Sequence, residues 1–133
     1  MGGRHYLWNT HALRQWIERT ESVYRFARRP LVQGKLVGKA NGAFTSTSTT
    51  HGGNESTLLS LYNPMAHLGL IIVPLGYGDP IMFRAGTPSG ASTVSGQKNA
   101  PPTADDLEVA RYQGWRIAQV ATALKAARLT ETK

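Results

Sequence analysis

Between Phe44 and Glu55 the chain reads Phe-Thr-Ser-Thr-Ser-Thr-Thr-His-Gly-Gly-Asn-Glu. Six consecutive hydroxyl side chains, Thr45 to Thr50, run into His51 and the pair Gly52-Gly53. Such a loop offers O–H groups and sterically open backbone N–H groups to a flat or anionic ligand without adding formal charge. On composition alone the same stretch reads rather as a solvated Ser/Thr/Gly linker. Its flanks change that balance. An apolar run, Leu36 to Phe44, leads into it, and a segment of helical periodicity begins at Asn54. A strand, a polar loop and a helix N-terminus in that order form a common ligand-holding edge of an α/β protein.

The elements that must position this loop follow from periodicity. Leu13, Trp16, Ile17, Thr20, Val23 and Tyr24 predict an amphipathic helix over roughly residues 10–25, ended before Pro30. Leu36 to Phe44 is weakly strand-like, with Gly38 and Gly42 inside it. Leu58, Leu61, Tyr62, Met65 and Leu68 define one helical face. Asn54 is placed to cap that helix, Glu55 to complement its dipole and Gly69 to end it, while Pro64 should kink it. Leu70-Ile71-Ile72-Val73-Pro74 is apolar without alternation, as expected for a strand covered on both faces. A Gly/Pro-rich excursion follows from Gly76 to Gly90, a length that is often functional, and then a short strand, Ala91 to Val94. Thr103 and Asp106 open a last helix, whose stripe of Leu107, Ala110, Gly114, Ile117, Ala121 and Leu124 runs to about residue 128. Gly114 on that stripe should let the helix lie close to a sheet. The alternation argues a parallel α/β layer structure, but so few strands would leave one sheet edge and much apolar surface open.

The chain has 133 residues, 41% of them hydrophobic, which suits one small globular core. It contains no cysteine, which excludes disulfides, iron–sulfur clusters and thiolate zinc sites. The longest apolar run, Leu68 to Leu75, is too short to span a bilayer, and the N-terminus carries no signal-type run, so a cytoplasmic protein is the expectation. The net charge of +7 sits mostly in residues 1–40, which carry eight Lys/Arg against two Glu. Such a basic arm suits nucleic acid, acidic lipid or an anionic cofactor, but no nucleic-acid fold signature accompanies it, and a solvated basic face is the simpler reading. His5, His11, His51 and His67 share no metal-type spacing, so no metal site is expected. No nucleophile-elbow pattern appears. Asp105, Asp106 and Glu108 read as dipole-complementing surface acids.

Six blocks occur in order: Leu36-Val37-Gly38-Lys39; Phe44-Thr45-Ser46-Thr47 through His51-Gly52-Gly53-Asn54-Glu55; Met65-Ala66-His67-Leu68-Gly69; Ile72-Val73-Pro74-Leu75-Gly76-Tyr77; Gly86-Thr87-Pro88-Ser89-Gly90-Ala91; and Ala110-Arg111-Tyr112-Gln113-Gly114. Together they resemble the C-terminal half of the WrbA family, the flavodoxin-like NAD(P)H:quinone oxidoreductases. The resemblance covers about residues 36–127. It implies a flavodoxin-like, three-layer α/β fold with a parallel sheet, here incomplete, with FMN at the carboxyl ends of the strands. It also implies NAD(P)H as electron donor, a quinone as substrate, and a homo-oligomer, a tetramer in the family. By resemblance Ser46, Thr47, Ser48, Thr49, Thr50, His51, Gly52 and Gly53 line the flavin ring. His67 matches a histidine at the ring's edge, and Tyr77 an aromatic where nicotinamide or quinone stacks. Those types suit hydride transfer, which needs stacking and orientation more than an acid–base dyad. An imidazole can stabilise negative charge on reduced flavin or quinol oxygen. The packing alternatives stay open: His67 as a dipole-complementing residue at a helix end, Tyr77 as a core aromatic.

The departures from the family are specific. Its phosphate-cradling loop and first three strands have no counterpart here. Of a flavin-contacting loop expected near Tyr6-Leu7-Trp8-Asn9, only Asn9 fits. Residues 25–35 match nothing, and Ser89 stands where an aromatic is usual. The expected organisation is a basic arm with one helix over 1–35, the half-domain over 36–128 and a tail over 129–133. The alternative to catalysis is a half-domain that associates through its open sheet edge.

Overall fold

The computed structural model describes residues 32–96 and 98–131. The expected helix over 10–25, the basic residues before Pro30 and Asn9 lie outside them. The chain divides into two compact units, Met1–Lys35 and Leu36–Lys133, of which the second carries the hydroxyl-rich loop. Its elements are strands β1 (Ala40–Asn41) and β2 (Phe44–Thr47), helix α1 (Asn54–His67), strand β3 (Ile71–Ile72), a 3-10 helix (Pro80–Phe83), strand β4 (Ala91–Val94) and helix α2 (Ala104–Glu131). Both strand pairings are parallel: β1 with β3, in register Ala40 to Ile71, and β2 with β4, in register Phe44 to Ala91. Helix α1 packs on β2 and β3, and α2 on β1, β4 and the 3-10 helix. This is the parallel α/β arrangement expected of an incomplete flavodoxin-like sheet.

The two pairings use one edge of a single extended stretch. The carbonyls of Lys39 and Asn41 accept from Ile71 and Val73 N–H, and that of Thr47 accepts from Ser95 N–H. Alternate residues of a strand face the same edge, so these odd positions form one continuous row. The row is interrupted at Ala43, where the chain leaves β3 for the excursion and has not yet returned at β4. Gln113 fills the gap. Its Oε1 accepts from Ala91 N–H at 2.8 Å and its Nε2 donates to the Ala43 carbonyl at 2.8 Å. The opposite edge takes no strand among the described residues, and Phe44 beside it is 80% exposed.

Several expectations need correction. The strand foreseen over Leu36 to Phe44 is split and starts later: turns occupy the approach, Gly38 is left-handed (φ 67°), and β1 and β2 are separated by Gly42-Ala43. A Cβ at Gly42 would lie 2.7 Å from Gln113 Nε2 and 2.8 Å from Ile117 Cδ1, so the close helix approach occurs there. Gly114, expected to provide it, faces open space. The buried side of α2 carries Val109 and Gln113, whereas Leu107 is exposed. Ile71 of β3 is also exposed, so that strand is not covered on both faces. Ile81 and Met82 of the excursion form the core with Leu75, Ala91 and Val109.

Helix α1 ends as Gly69 requires. Gly69 N–H donates to Ala66 and Leu70 N–H to Met65, with Gly69 at φ 75°, which is a Schellman closure. The helix continues through Pro64 to His67. At the other end of the fold, Thr103 and Asp106 form the expected capping box: Thr103 N–H donates to Asp106 Oδ2 at 2.9 Å and Asp106 N–H to Thr103 Oγ1 at 3.1 Å. Thr93 Oγ1 donates to the same carboxylate oxygen, which ties β4 to α2. Desolvation works to raise the Asp106 pKa, but the hydrogen bonds from Thr103 and Thr93 outweigh it and hold the carboxyl below its ordinary value.

Two outcomes follow. Gln113→Leu leaves Ala43 C=O and Ala91 N–H buried without partners and should destabilise the fold by about 3 kcal/mol, read as a lower urea midpoint with unchanged slope. An unchanged midpoint would show that the amide joint carries no stability. Because the Asp106 pKa is depressed on folding, its contribution is present above the ordinary carboxylate range and is lost as pH falls through the lowered value. Asp106→Asn should therefore flatten the acid limb of the stability–pH curve and leave the slope near neutrality unchanged.

Candidate functional site

The Ser46–Gly53 loop springs from the carboxyl end of β2 and runs directly into α1. Its root is fixed. Thr47 C=O accepts from Ser95 N–H at 2.8 Å and from Ser95 Oγ at 3.3 Å, so β2 and the residue after β4 leave the sheet together. The turn is held from within: Thr47 Oγ1 and Gly52 N–H both donate to Thr49 C=O at 2.9 Å. A Cβ at Gly52 would lie 2.5 Å from Thr47 Cβ, so this turn demands glycine. Gly53 is left-handed (φ 85°) and occupies the N-cap position.

That geometry spends little of the loop's hydrogen-bonding capacity. Among the described residues, the hydroxyls of Ser46, Ser48, Thr49 and Thr50 and the imidazole of His51 make no hydrogen bond, and all five residues are exposed. Nor does α1 consume its own first N–H groups through a side-chain cap. Asn54, expected to cap the helix, is instead its first residue. Its side chain turns inward, 6% exposed, and its Oδ1 is buried with no partner. The left-handed Gly53 takes the cap position and carries no side chain to do the work. The helix N-terminus thus presents a partial positive charge and unpaired donors beside a row of free hydroxyls, with one unpaired buried acceptor at the junction. This donor set suits a flat ring bearing carbonyl and ring-nitrogen acceptors.

The remaining expected site residues are not brought to this loop within one chain. His67 is the last residue of α1, whose 14 residues place it about 20 Å along the axis from Asn54. Tyr77 is 60% exposed on the excursion, its ring 5.5 Å from that of Phe83. The excursion leaves the sheet opposite Asn41, about 17 Å of strand before the loop begins. Ser89 receives the Tyr62 hydroxyl on its carbonyl, and burial pushes that phenol upward in pKa. Asn9 lies outside the described residues. No group of three His, Asp or Glu among the described residues is placed to hold a metal ion, and no described helix is long and apolar enough to cross a membrane.

Comparison with known proteins gives the site a context. No family model matches the chain. Among curated proteins it is 40% identical over 119 residues to an NAD(P)H dehydrogenase (quinone) of Geobacter metallireducens, an alignment covering 85% of this chain and 55% of the relative. It is 42% identical over 98 residues to a protein of the same name from Chromohalobacter salexigens, covering 69% and 49%. A third, NAD(P)H dehydrogenase (quinone) 3 of Rhizobium meliloti, is 43% identical over 104 residues, covering 72% and 49%. The matched region belongs to the NAD(P)H dehydrogenase (quinone) family. The chain spans about half the length of the curated relatives it matches. The blocks that resembled this family therefore pointed to the right kinship.

Sequence reasoning missed three features. Gln113 stands in a family-like block beside the stripe residues Ala110 and Gly114, and nothing local marks an amide that bridges two strands. Ser95 as the loop's anchor had no sequence signal. The burial of Asn54 follows from the Gly53 conformation, which the Gly-Gly pair permits without specifying.

The unpaired Asn54 Oδ1 makes a test. Asn54→Leu should leave stability in the ligand-free chain unchanged or raised by up to about 1 kcal/mol, since it removes a buried acceptor that has no partner. A loss of stability would mean that the amide is already engaged.

Proposed function

We propose that this chain carries the flavin-ring site of an FMN-dependent NAD(P)H:quinone oxidoreductase. The observation that supports it most is the Ser46–Gly53 loop, with free hydroxyls and uncapped helix N–H groups at the carboxyl end of a parallel strand. Ser46, Ser48, Thr49, Thr50 and the Gly53 backbone N–H would hold the ring by donating to its acceptors. The buried Asn54 amide would orient the α1 terminus against it. When bound, FMN would supply a two-electron carrier between NAD(P)H and a quinone, the hydride of NAD(P)H and one proton from solvent together giving quinol and NAD(P)+. The α1 N-terminus favours negative charge near its N–H groups, and His51 adds a donor at the loop's tip.

His67 and Tyr77 keep their proposed roles, at the ring's edge and against the incoming quinone or nicotinamide, only if a second copy supplies them. A helix length separates His67 from its own chain's loop, so a site containing both is shared between chains. A homo-oligomer is therefore part of this reading, with the quinone entering near the contact.

The test is flavin retention. Chain mixed with FMN and passed through gel filtration should keep its yellow colour and quench flavin fluorescence, in a fraction larger than a monomer. Thr47→Val, which removes the Oγ1 bond shaping the turn, should weaken retention about 10-fold, or 1.4 kcal/mol. His67→Ala should leave retention near the parent level and lower quinone reduction about 10-fold. Flavin that elutes wholly free of the chain would overturn the reading.

A further inference from the structure

A second site lies away from the hydroxyl loop, between the excursion and α2. A cavity of about 330 Å³ is lined by Asp79, Ile81, Glu108, Arg111, Tyr112 and Trp115. Residues 108, 111, 112 and 115 follow helical spacing, so one face of α2 forms the floor and the 3-10 helix forms the wall. The volume falls in the range of small-ligand pockets.

Its aromatic pair is preset. The Tyr112 and Trp115 rings lie nearly parallel, 26° apart with centroids at 6.1 Å. Arg116 sits 5.9 Å from the Tyr112 centroid and donates to Pro74 C=O, which holds Tyr112 from another side. A Cβ at Gly78 would lie 2.9 Å from the Tyr112 hydroxyl, so the excursion is closed against that ring. Trp115 nevertheless remains 56% exposed, a large indole that core packing does not use.

The charges around the rings are partly spent. Asp79 accepts from Ile81 N–H through Oδ1, leaving its other oxygen free. Glu108 gives Oε2 to Arg84, which also pairs with Asp105. Arg111 makes no hydrogen bond or ion pair among the described residues. The cavity thus offers one unspent cation and unspent carboxylate oxygens around a stacking surface. A phosphate would meet two carboxylates for one free guanidinium. A simple organic cation would leave Arg111 unmatched. A planar aromatic bearing both an ammonium and a carboxylate matches every group: ring on Trp115, carboxylate on Arg111, ammonium on Asp79 and Glu108.

We propose that this cavity binds a small aromatic zwitterion of the aromatic amino-acid class. The site is independent of the flavin reading.

The test is a titration of the full chain followed at the Trp115 indole N–H by 1H–15N NMR. The probes are L-phenylalanine, 2-phenylethylamine (no carboxylate) and 3-phenylpropionate (no ammonium). L-Phenylalanine should bind in the millimolar range and at least about 5-fold more tightly than either analogue. Arg111→Gln should reduce it to the level of the amine. Asp79→Asn, which keeps an oxygen to accept from Ile81 N–H, should reduce it toward the level of the acid. The three probes on the parent chain decide the matter even if a variant folds poorly. No shift at Trp115 by about 20 mM ligand, equal binding of all three probes, or tighter binding of adenosine monophosphate than of L-phenylalanine would each overturn the proposal.

Discussion

The Gln113 side chain is the joint on which the sheet depends. A strand that is paired first by β3 and then by β4 must have a gap where the chain leaves one and rejoins at the other. Backbone polar groups in that gap are buried and need partners. One amide supplies both, accepting from Ala91 and donating to Ala43, and it comes from α2. The helix is thereby locked to the sheet at the residue where the ladder would otherwise fail. Gly42 permits this, since any side chain there would meet Gln113 and Ile117.

With the gap closed, the excursion becomes part of the body. Its Ile81 and Met82 join Leu75 and Val109 in the core, Arg84 is paired with two acids at the start of α2, and Tyr62 reaches across from α1 to Ser89. The sheet pieces are short, so these ties to the helices carry the order that long ladders supply in larger sheets. The consequence at the functional end is a rigid root for the Ser46–Gly53 loop. Ser95 and the internal Thr49 turn hold its shape, and the remaining hydroxyls stay uncommitted. A loop shaped by few bonds and rich in free donors is preorganised for a ligand, since little is broken when the ligand arrives.

The hydroxyl loop, the helix after it, its Gly69 stop and the Thr103–Asp106 start were all legible in the chain. Each rests on local chemistry: donors that cluster, a period of 3.6, a left-handed glycine, an i to i+3 reciprocal pair. What misled was equally local. The stripe through Gly114 is a fair helical face, yet Val109 and Gln113 are the buried residues, because the sheet lies on a neighbouring side of α2. Asn54 has the right type for a cap but follows a left-handed glycine that takes the position. His67 and Tyr77 stand in family-like blocks, yet sequence order says nothing of the helix length and strand length that separate them from the loop.

The sequence by itself determined the parallel α/β class, the kinship and the chemistry of the loop, because these depend on residue type, periodicity and ordered blocks. Tertiary structure alone decided that two strands share one edge, that an amide from a distant helix bridges them, and that the expected site residues fall at opposite ends of the fold. Those outcomes depend on where backbone groups lack partners and on how far an element carries its last residue. Neither quantity is written in any local stretch of the chain.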